Sequence, residues 1–202
     1  VEITLADGVL TFGADTITMA DKFNEWSGGR RARMILRTDI PDGDWRIESS
    51  LKLTDVFTWT EFHVGLAVTY NEAGDTNVSE DEYLFGFYGG DIRVERTNDT
   101  ALGILNYHEY TDELDWINAV WNGEITAKIA VTKRSDELIF SAQLPGAPWQ
   151  LVGAPVVETR QPTRIGLFSK IMGSENFTIT EFDYFTLSAL DEFTDVKAWE
   201  LY

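Results

Sequence analysis

The sequence predicts an all-β fold of two antiparallel sheets packed face to face, on three observations. Apolar and polar residues alternate with period 2 through one run after another, which is the mark of strands. Short turn signals such as "PDGD", "YGGD" and "KRSDE" separate the runs as hairpin turns do. Helical periodicity is sustained nowhere. Many short antiparallel strands of this kind bury their apolar faces against each other as a sandwich.

The elements follow in order. "GVLTF" and "ARMILRT" are the first strand-like runs. In "DWRIESSLKL", Trp45, Ile47, Leu51 and Leu53 fall on one side and Arg46, Glu48, Ser50 and Lys52 on the other. "EFHVGLAVTY" sets Phe62, Val64, Leu66 and Val68 against His63, Gly65, Ala67 and Thr69. "EYLFGFY", "DIRVERT", "ITAKIAVTK", "ELIFSAQL" and "TRIGLFSKI" continue the rhythm, and "NFTITEFDYFTL" closes it. The segment "HEYTDELDWINAVWNG" holds at most a short turn of helix. Without internal repeat, low-complexity tract or linker, residues 1–202 are expected to form a single domain. Its core spans about 9–188, and 189–202 are a terminal extension.

A chain of 202 residues is long enough to bury roughly 70% of its unfolded surface without staples. It has no cysteine, which excludes a disulfide scaffold, a Cys-ligated metal and a Cys nucleophile. A net charge of -18 argues against nucleic acid, whose phosphates are neutralised by Lys and Arg, and against an anionic membrane surface. No apolar run reaches the ~18 residues of a membrane span. The chain opens at Val1, with no Met and no signal peptide before it, so a mature form or an excised module is expected.

"MILRTDIPDGDWRIESSLKL", "VGLAVTYNEAGDTNVSEDEYLFGFYGGDIRVERT" and "TRIGLFSK…FDYFTL" together resemble the concanavalin A-like lectin/glucanase superfamily. The nearest likeness is to the β-sandwich modules appended to bacterial glycoside hydrolases, such as the C-terminal domain of β-xylosidases. The resemblance covers roughly residues 34–188 and rests on hydrophobic blocks, so it speaks to fold more than to function. It implies a jelly-roll sandwich, carbohydrate binding and, in some members, a structural calcium ion.

Glucanases of that superfamily carry E-x-D-x-x-E on a strand, and "ITEFDYFTL" at 179–187 contains E-x-D. The third acid, however, is replaced by Thr186. A retaining glycosidase needs two carboxyl groups about 5 Å apart, one of them with a raised pKa, so a missing partner removes the mechanism. Phe182, Tyr184 and Phe185 give the stretch the apolar body of a core strand, and no catalytic residue is expected there. His63 and His108 lack zinc spacing, and no phosphate loop, nucleophile elbow or dinucleotide fingerprint is present.

One loop suggests a metal. "DTNVSED" sets Asp75, Asn77, Ser79 and Asp81 at alternate positions, as calcium loops present hard oxygens. Glu80 and Gly86 depart from the helix–loop–helix pattern, so a solvated hairpin loop is the competing reading. "NVS" at Asn77, "NDT" at Asn98 and "NFT" at Asn176 are glycosylation sequons, relevant only in a eukaryotic secretory host.

If the four runs from Trp45 to Thr97 form a continuous meander, matching buried faces pairs Leu51 with Val64, Leu66 with Phe85, and Phe87 with Ile92. The opposite face then carries the rows Ser50–Gly65–Gly86–Arg93, Lys52–His63–Tyr88–Asp91 and Glu48–Ala67–Leu84–Glu95. Glycines inside strands mark a close approach by a ligand or another chain. Gly65 and Gly86 therefore suggest the floor of a shallow sugar groove, with His63, Arg93 and Glu48 bonding hydroxyls and Tyr88 stacking on the ring. Accommodation of sheet curvature or a covering loop is the alternative. Trp59 and Trp116 are further candidates on turn-like segments. In this register Glu48 and Glu95 stand roughly 14 Å apart, at about 4.8 Å per strand, which is too wide for glycosidic acids.

The function expected is non-catalytic recognition of a polysaccharide or oligosaccharide by a secreted accessory module, with a catalytic domain in the same parent chain. A glycoside hydrolase or polysaccharide lyase of the same fold is one alternative. An adhesive, protein-binding sandwich is the other.

Overall fold

The computed structural model describes residues 2–6, 9–13, 33–54, 61–70, 81–88, 91–96, 100–106, 125–172 and 179–190. Fourteen strands occur among them: β1 (Glu2–Ala6), β2 (Val9–Gly13), β3 (Arg33–Arg37), β4 (Trp45–Thr54), β5 (Glu61–Thr69), β6 (Glu82–Tyr88), β7 (Asp91–Arg96), β8 (Thr100–Asn106), β9 (Ile125–Arg134), β10 (Glu137–Gln143), β11 (Gln150–Leu151), β12 (Val156–Val157), β13 (Arg164–Met172) and β14 (Ile179–Ala189). One sheet of eight runs β1-β2-β14-β4-β9-β10-β11, with β12 also on β10, and one sheet of six runs β3-β13-β5-β6-β7-β8. Every pairing is antiparallel. The predicted all-β, two-sheet sandwich is the fold observed.

The sheets face each other through the residues that the alternation marks as apolar. Trp45, Ile47, Leu51, Leu53, Ile129, Val131, Phe140 and Phe182 come from the larger sheet, and Val64, Leu66, Val68, Phe85, Phe87, Ile92 and Ile165 from the smaller. Each such side chain contributes roughly 1.5–3 kcal/mol of burial. Phe140 bridges the two sheets, its ring 5.4 Å from Phe85 and 6.0 Å from Tyr83.

Two polar residues on the core-facing side are satisfied by local geometry. The register of β14 against β4 shifts between Phe182 and Tyr184. Ser49 lies opposite that bulge and donates to the Tyr184 carbonyl at 2.6 Å. Lys133, 1% exposed, donates its ammonium to the carbonyls of Ser135 and Glu158 at the end of β9.

The expected meander is corrected in one respect. β4 does not neighbour β5: Leu51 pairs with Phe182 and Ala127, while Val64 pairs with Phe87 and Ser169. The chain changes sheets between Thr54 and Glu61, a step invisible to periodicity because strands of both sheets carry the same alternation. Leu66↔Phe85 and Phe87↔Ile92 pair as predicted. β8 escaped the strand reading because Gly103 interrupts its apolar run. That glycine is needed for close packing, since a Cβ there would lie 2.5 Å from the Cα of Gly153.

Candidate functional site

The outer face of the six-stranded sheet is assembled by β5, β6 and β7 in the anticipated rows. Gly65 pairs with Gly86 and Gly86 with Arg93, His63 with Tyr88 and Tyr88 with Asp91, and Ala67 with Leu84 and Leu84 with Glu95. Glu48 is not among them. It lies on the outer face of the other sheet, so the core separates it from Glu95 and the two acids share no surface.

This face is also more closed than an alternating strand implies. Ala67, Leu84 and Phe168 form a second buried apolar cluster on it, and His63 and Thr69 are buried beside them. The glycine pair is explained by the strands themselves. A Cβ on Gly65 would stand 2.1 Å from the Phe85 carbonyl oxygen, and one on Gly86 would stand 1.9 Å from that of Val64. The chain that approaches these glycines is the neighbouring strand.

Around them runs a polar chain. His63 Nδ1 lies 3.5 Å from Glu95 Oε2, with side-chain exposures of 0% and 3%. Arg93 Nη1 donates to Glu95 Oε1 at 3.0 Å, and Nη2 lies 3.9 Å from Asp91. The Arg93 guanidinium stacks 3.9 Å from the Tyr88 ring centroid. The edge of His63 packs against Tyr88 and Phe168, at centroid distances of 5.4 and 4.9 Å. Burial pushes the Glu95 carboxyl up, but interaction with His63 and Arg93 more than offsets this and leaves it below its ordinary value. Glu95 is thus a buried carboxylate that holds one cation rigidly at a half-open margin.

At one end of the sandwich a second network encloses Asp81. Arg160 Nη1 and Arg96 Nη2 both donate to its carboxylate, the latter at 3.2 Å. Arg160 also forks onto Glu158, with Nε to Oε1 at 2.8 Å and Nη2 to Oε2 at 2.7 Å, and stacks on Tyr70. The Arg160 hydrogen bond is the main cause of the lowered pKa of Asp81 and of Glu158. Two guanidinium groups on one carboxylate do not suit a calcium ligand, because they occupy its oxygens and repel a cation. Asp75, Asn77, Ser79, Trp59 and Trp116 lie outside the described residues.

The outer face of the eight-stranded sheet holds a cluster that the sequence reading did not assemble. Tyr184 Oη donates to Glu48 Oε1 at 2.6 Å, and Glu48 Oε2 accepts from Arg46 Nε and Nη2 at 3.3 and 3.1 Å. Arg46 Nη1 donates to Thr132 at 3.1 Å, and its guanidinium lies 4.7 Å from the Trp149 ring centroid. Trp149 comes from "PGAPWQL", where the Pro–Gly turn was the one available signal. Of the E-x-D acids, Glu181 lies 3.8 Å from Lys52, and Asp183 is exposed beside the bulge. They belong to an interior strand of the sheet, between β2 and β4.

No protein-family model matches the chain, and no curated protein sequence matches it significantly. Solved structures match it over nearly its whole length. A GH43 protein, BlXynB (K247S mutant) from Bacillus licheniformis, superposes with a TM-score of 0.60 at 13% identity, covering 92% of this chain and 34% of that one. A functionally unknown protein from Saccharomyces cerevisiae gives 0.57 at 11% identity, covering 94% and 92%. The seed lectin of Lotus tetragonolobus gives 0.50 at 9%, covering 94% and 91%. The chain therefore spans about a third of the length of the GH43 protein it matches. At these identities the likeness establishes the fold, a concanavalin A-like β-sandwich.

Proposed function

We propose that this concanavalin A-like sandwich binds a polysaccharide without cleaving it, at the Tyr88–Asp91–Arg93 margin of the six-stranded sheet. The observation that carries the reading is the fixed Arg93 guanidinium. It is 21% exposed, bonded to buried Glu95 and stacked on Tyr88. A guanidinium has five N–H groups in a rigid fork, and the Glu95 bond uses one. Nε is buried, so the remaining Nη donors, with the Asp91 carboxylate beside them as acceptor, suit the paired hydroxyls of a sugar.

Support for the non-catalytic half comes from the carboxylates. A glycosidic acid must hold a proton near neutral pH. Among the described carboxylates, Asp81, Glu95 and Glu158 have a resolved shift, and all three are shifted down. The GH43 chain of the comparison is about three times as long as this one, which suits an accessory module beside a catalytic domain. A secreted setting fits such a module.

Affinity electrophoresis against a panel of neutral polysaccharides, paired with a reducing-sugar release assay, tests the proposal. Retention without sugar release is expected, and Arg93→Ala and Tyr88→Ala should each lose it. Sugar release by the wild type, or undiminished retention of both folded variants, rejects the reading at this margin.

A further inference from the structure

We propose a second saccharide site, on the opposite side of the molecule, that takes a single neutral pyranose ring: the cleft over β9 and β10 on the outer face of the eight-stranded sheet. The cleft has a volume of about 210 Å³. Drug-sized ligands occupy roughly 300–1,000 Å³, so this one is scaled to one sugar ring. Its lining among the described residues includes Thr132, Ile139, Ser141, Trp149, Gln150 and Leu151.

The floor follows from strand register. Thr132 pairs with Ile139, and Ser141 pairs with Leu151. Phe140 and Ala142 belong to the core, so their alternating neighbours Ile139 and Ser141 face outward. Ser141 is only 7% exposed, and its hydroxyl has no hydrogen-bond partner among the described residues. A hydroxyl unbonded at this depth is costly, and a ligand that brings its own hydroxyl removes that cost.

The wall is the Trp149 indole, carried on a turn that is fixed before any ligand arrives. The Ala147 N–H donates to the Leu144 carbonyl at 3.0 Å, and Gln143 Nε2 donates to the Ala147 carbonyl at 3.0 Å. The Val152 N–H closes the segment onto the Phe140 carbonyl at 2.9 Å. The Arg46 guanidinium, 4.7 Å from the indole centroid, holds the plane of the ring. An immobilised indole in the same cleft as an unbonded hydroxyl offers what a pyranose presents, an apolar C–H face and an O–H edge. Neither arginine of the lining calls for an anion. Arg46 is paired with Glu48 and Thr132, and Arg134 is engaged as well. The ring that fits is therefore neutral, with the exposed Gln150 amide as a further donor and acceptor.

The site is independent of the Arg93 margin, and free glycosides rather than polymers read it. Saturation-transfer difference NMR on the whole chain uses the methyl pyranosides of xylose, glucose, galactose and mannose as probes. Cyclohexanol, an apolar ring with one hydroxyl, is the control. Transfer to the C–H protons of at least one glycoside is expected, and none of comparable strength to cyclohexanol. Trp149→Ala should abolish the transfer. Ser141→Ala removes a hydroxyl without a protein partner, so the fold should survive, and Kd should rise roughly fivefold, the scale of one neutral hydrogen bond. Arg93→Ala should leave the transfer unchanged. The inference is overturned by no transfer to any of the four glycosides or by equal transfer to cyclohexanol. It is overturned equally by folded Trp149→Ala and Ser141→Ala proteins that bind as the wild type does. Loss of transfer in Arg93→Ala would assign the ring to the other face and also overturn it.

Discussion

Two R-x-E pairs lie on the two outer faces, Arg93–Glu95 on β7 and Arg46–Glu48 on β4. Each places a guanidinium N–H at 3.0–3.1 Å from the carboxylate two residues on, and each has a tyrosine beside it. Their surroundings separate them. Glu95 is 3% exposed and also meets His63, whereas Glu48 is 24% exposed beside an arginine that is 30% exposed. Similar local chemistry thus gives a desolvated carboxylate under a part-exposed arginine on one side and a solvated carboxylate on the other. Desolvation raises the cost of breaking a pair, and exposure lets water replace whatever is lost.

Breaking each pair should give the largest difference. Glu95→Ala leaves His63 and Arg93 facing a buried gap and is expected to cost about 3–5 kcal/mol. Glu48→Ala should cost about 1 kcal/mol. Urea denaturation of both variants measures this directly, and equal costs would break the comparison. Next in size is Gly65→Ala. Its Cβ has no room beside the Phe85 carbonyl, so a loss of about 1–3 kcal/mol or more is expected. A neutral Gly65→Ala would show that β5 and β6 can separate without penalty, and would reopen the glycines as a ligand floor.

The pH dependence sharpens the contrast further. The folded pKa of Glu95 lies below its unfolded value, so the unfolded chain binds more protons in that range. The stability it contributes is present above the ordinary carboxylate range and is lost as pH falls through the depressed folded value. Urea midpoints measured from pH 7 to pH 3 should therefore fall less steeply for Glu95→Gln than for the wild type. A residual slope should persist from Asp81 and Glu158, which are lowered as well. An unchanged slope in Glu95→Gln would sink the assignment. The smallest effect is that of salt. At 1 M the Debye length is about 3 Å, so the ionic part of the Glu48→Ala cost should vanish while the Glu95→Ala cost stays nearly constant. Repeating the two titrations in 1 M sodium chloride reads this out.

Much of the candidate face was legible in the sequence because strand period and hairpin turns constrain neighbours tightly. "EYLFGFY", "GG" and "DIRVER" leave little choice of register, so Gly86↔Arg93 and Tyr88↔Asp91 follow from buried-face matching. The Trp149 cleft was not legible. Its arginines come from β4 and β9 and its tryptophan from the segment after β10, residues about 100 positions apart in the case of Arg46 and Trp149. No local pattern links positions so far apart.

By itself the sequence determined the class of fold, the strands of the two central hairpins and which side of each strand is apolar, because period 2 and turn chemistry are local properties of the chain. Only the tertiary structure decided that β4 leaves β5 for the other sheet and that Asp81 is held by two arginines. It also decided that the carboxylate of one R-x-E pair is buried and that of the other is solvated. Sheet membership and desolvation depend on which distant segments pack together, and alternation is identical whichever sheet a strand joins.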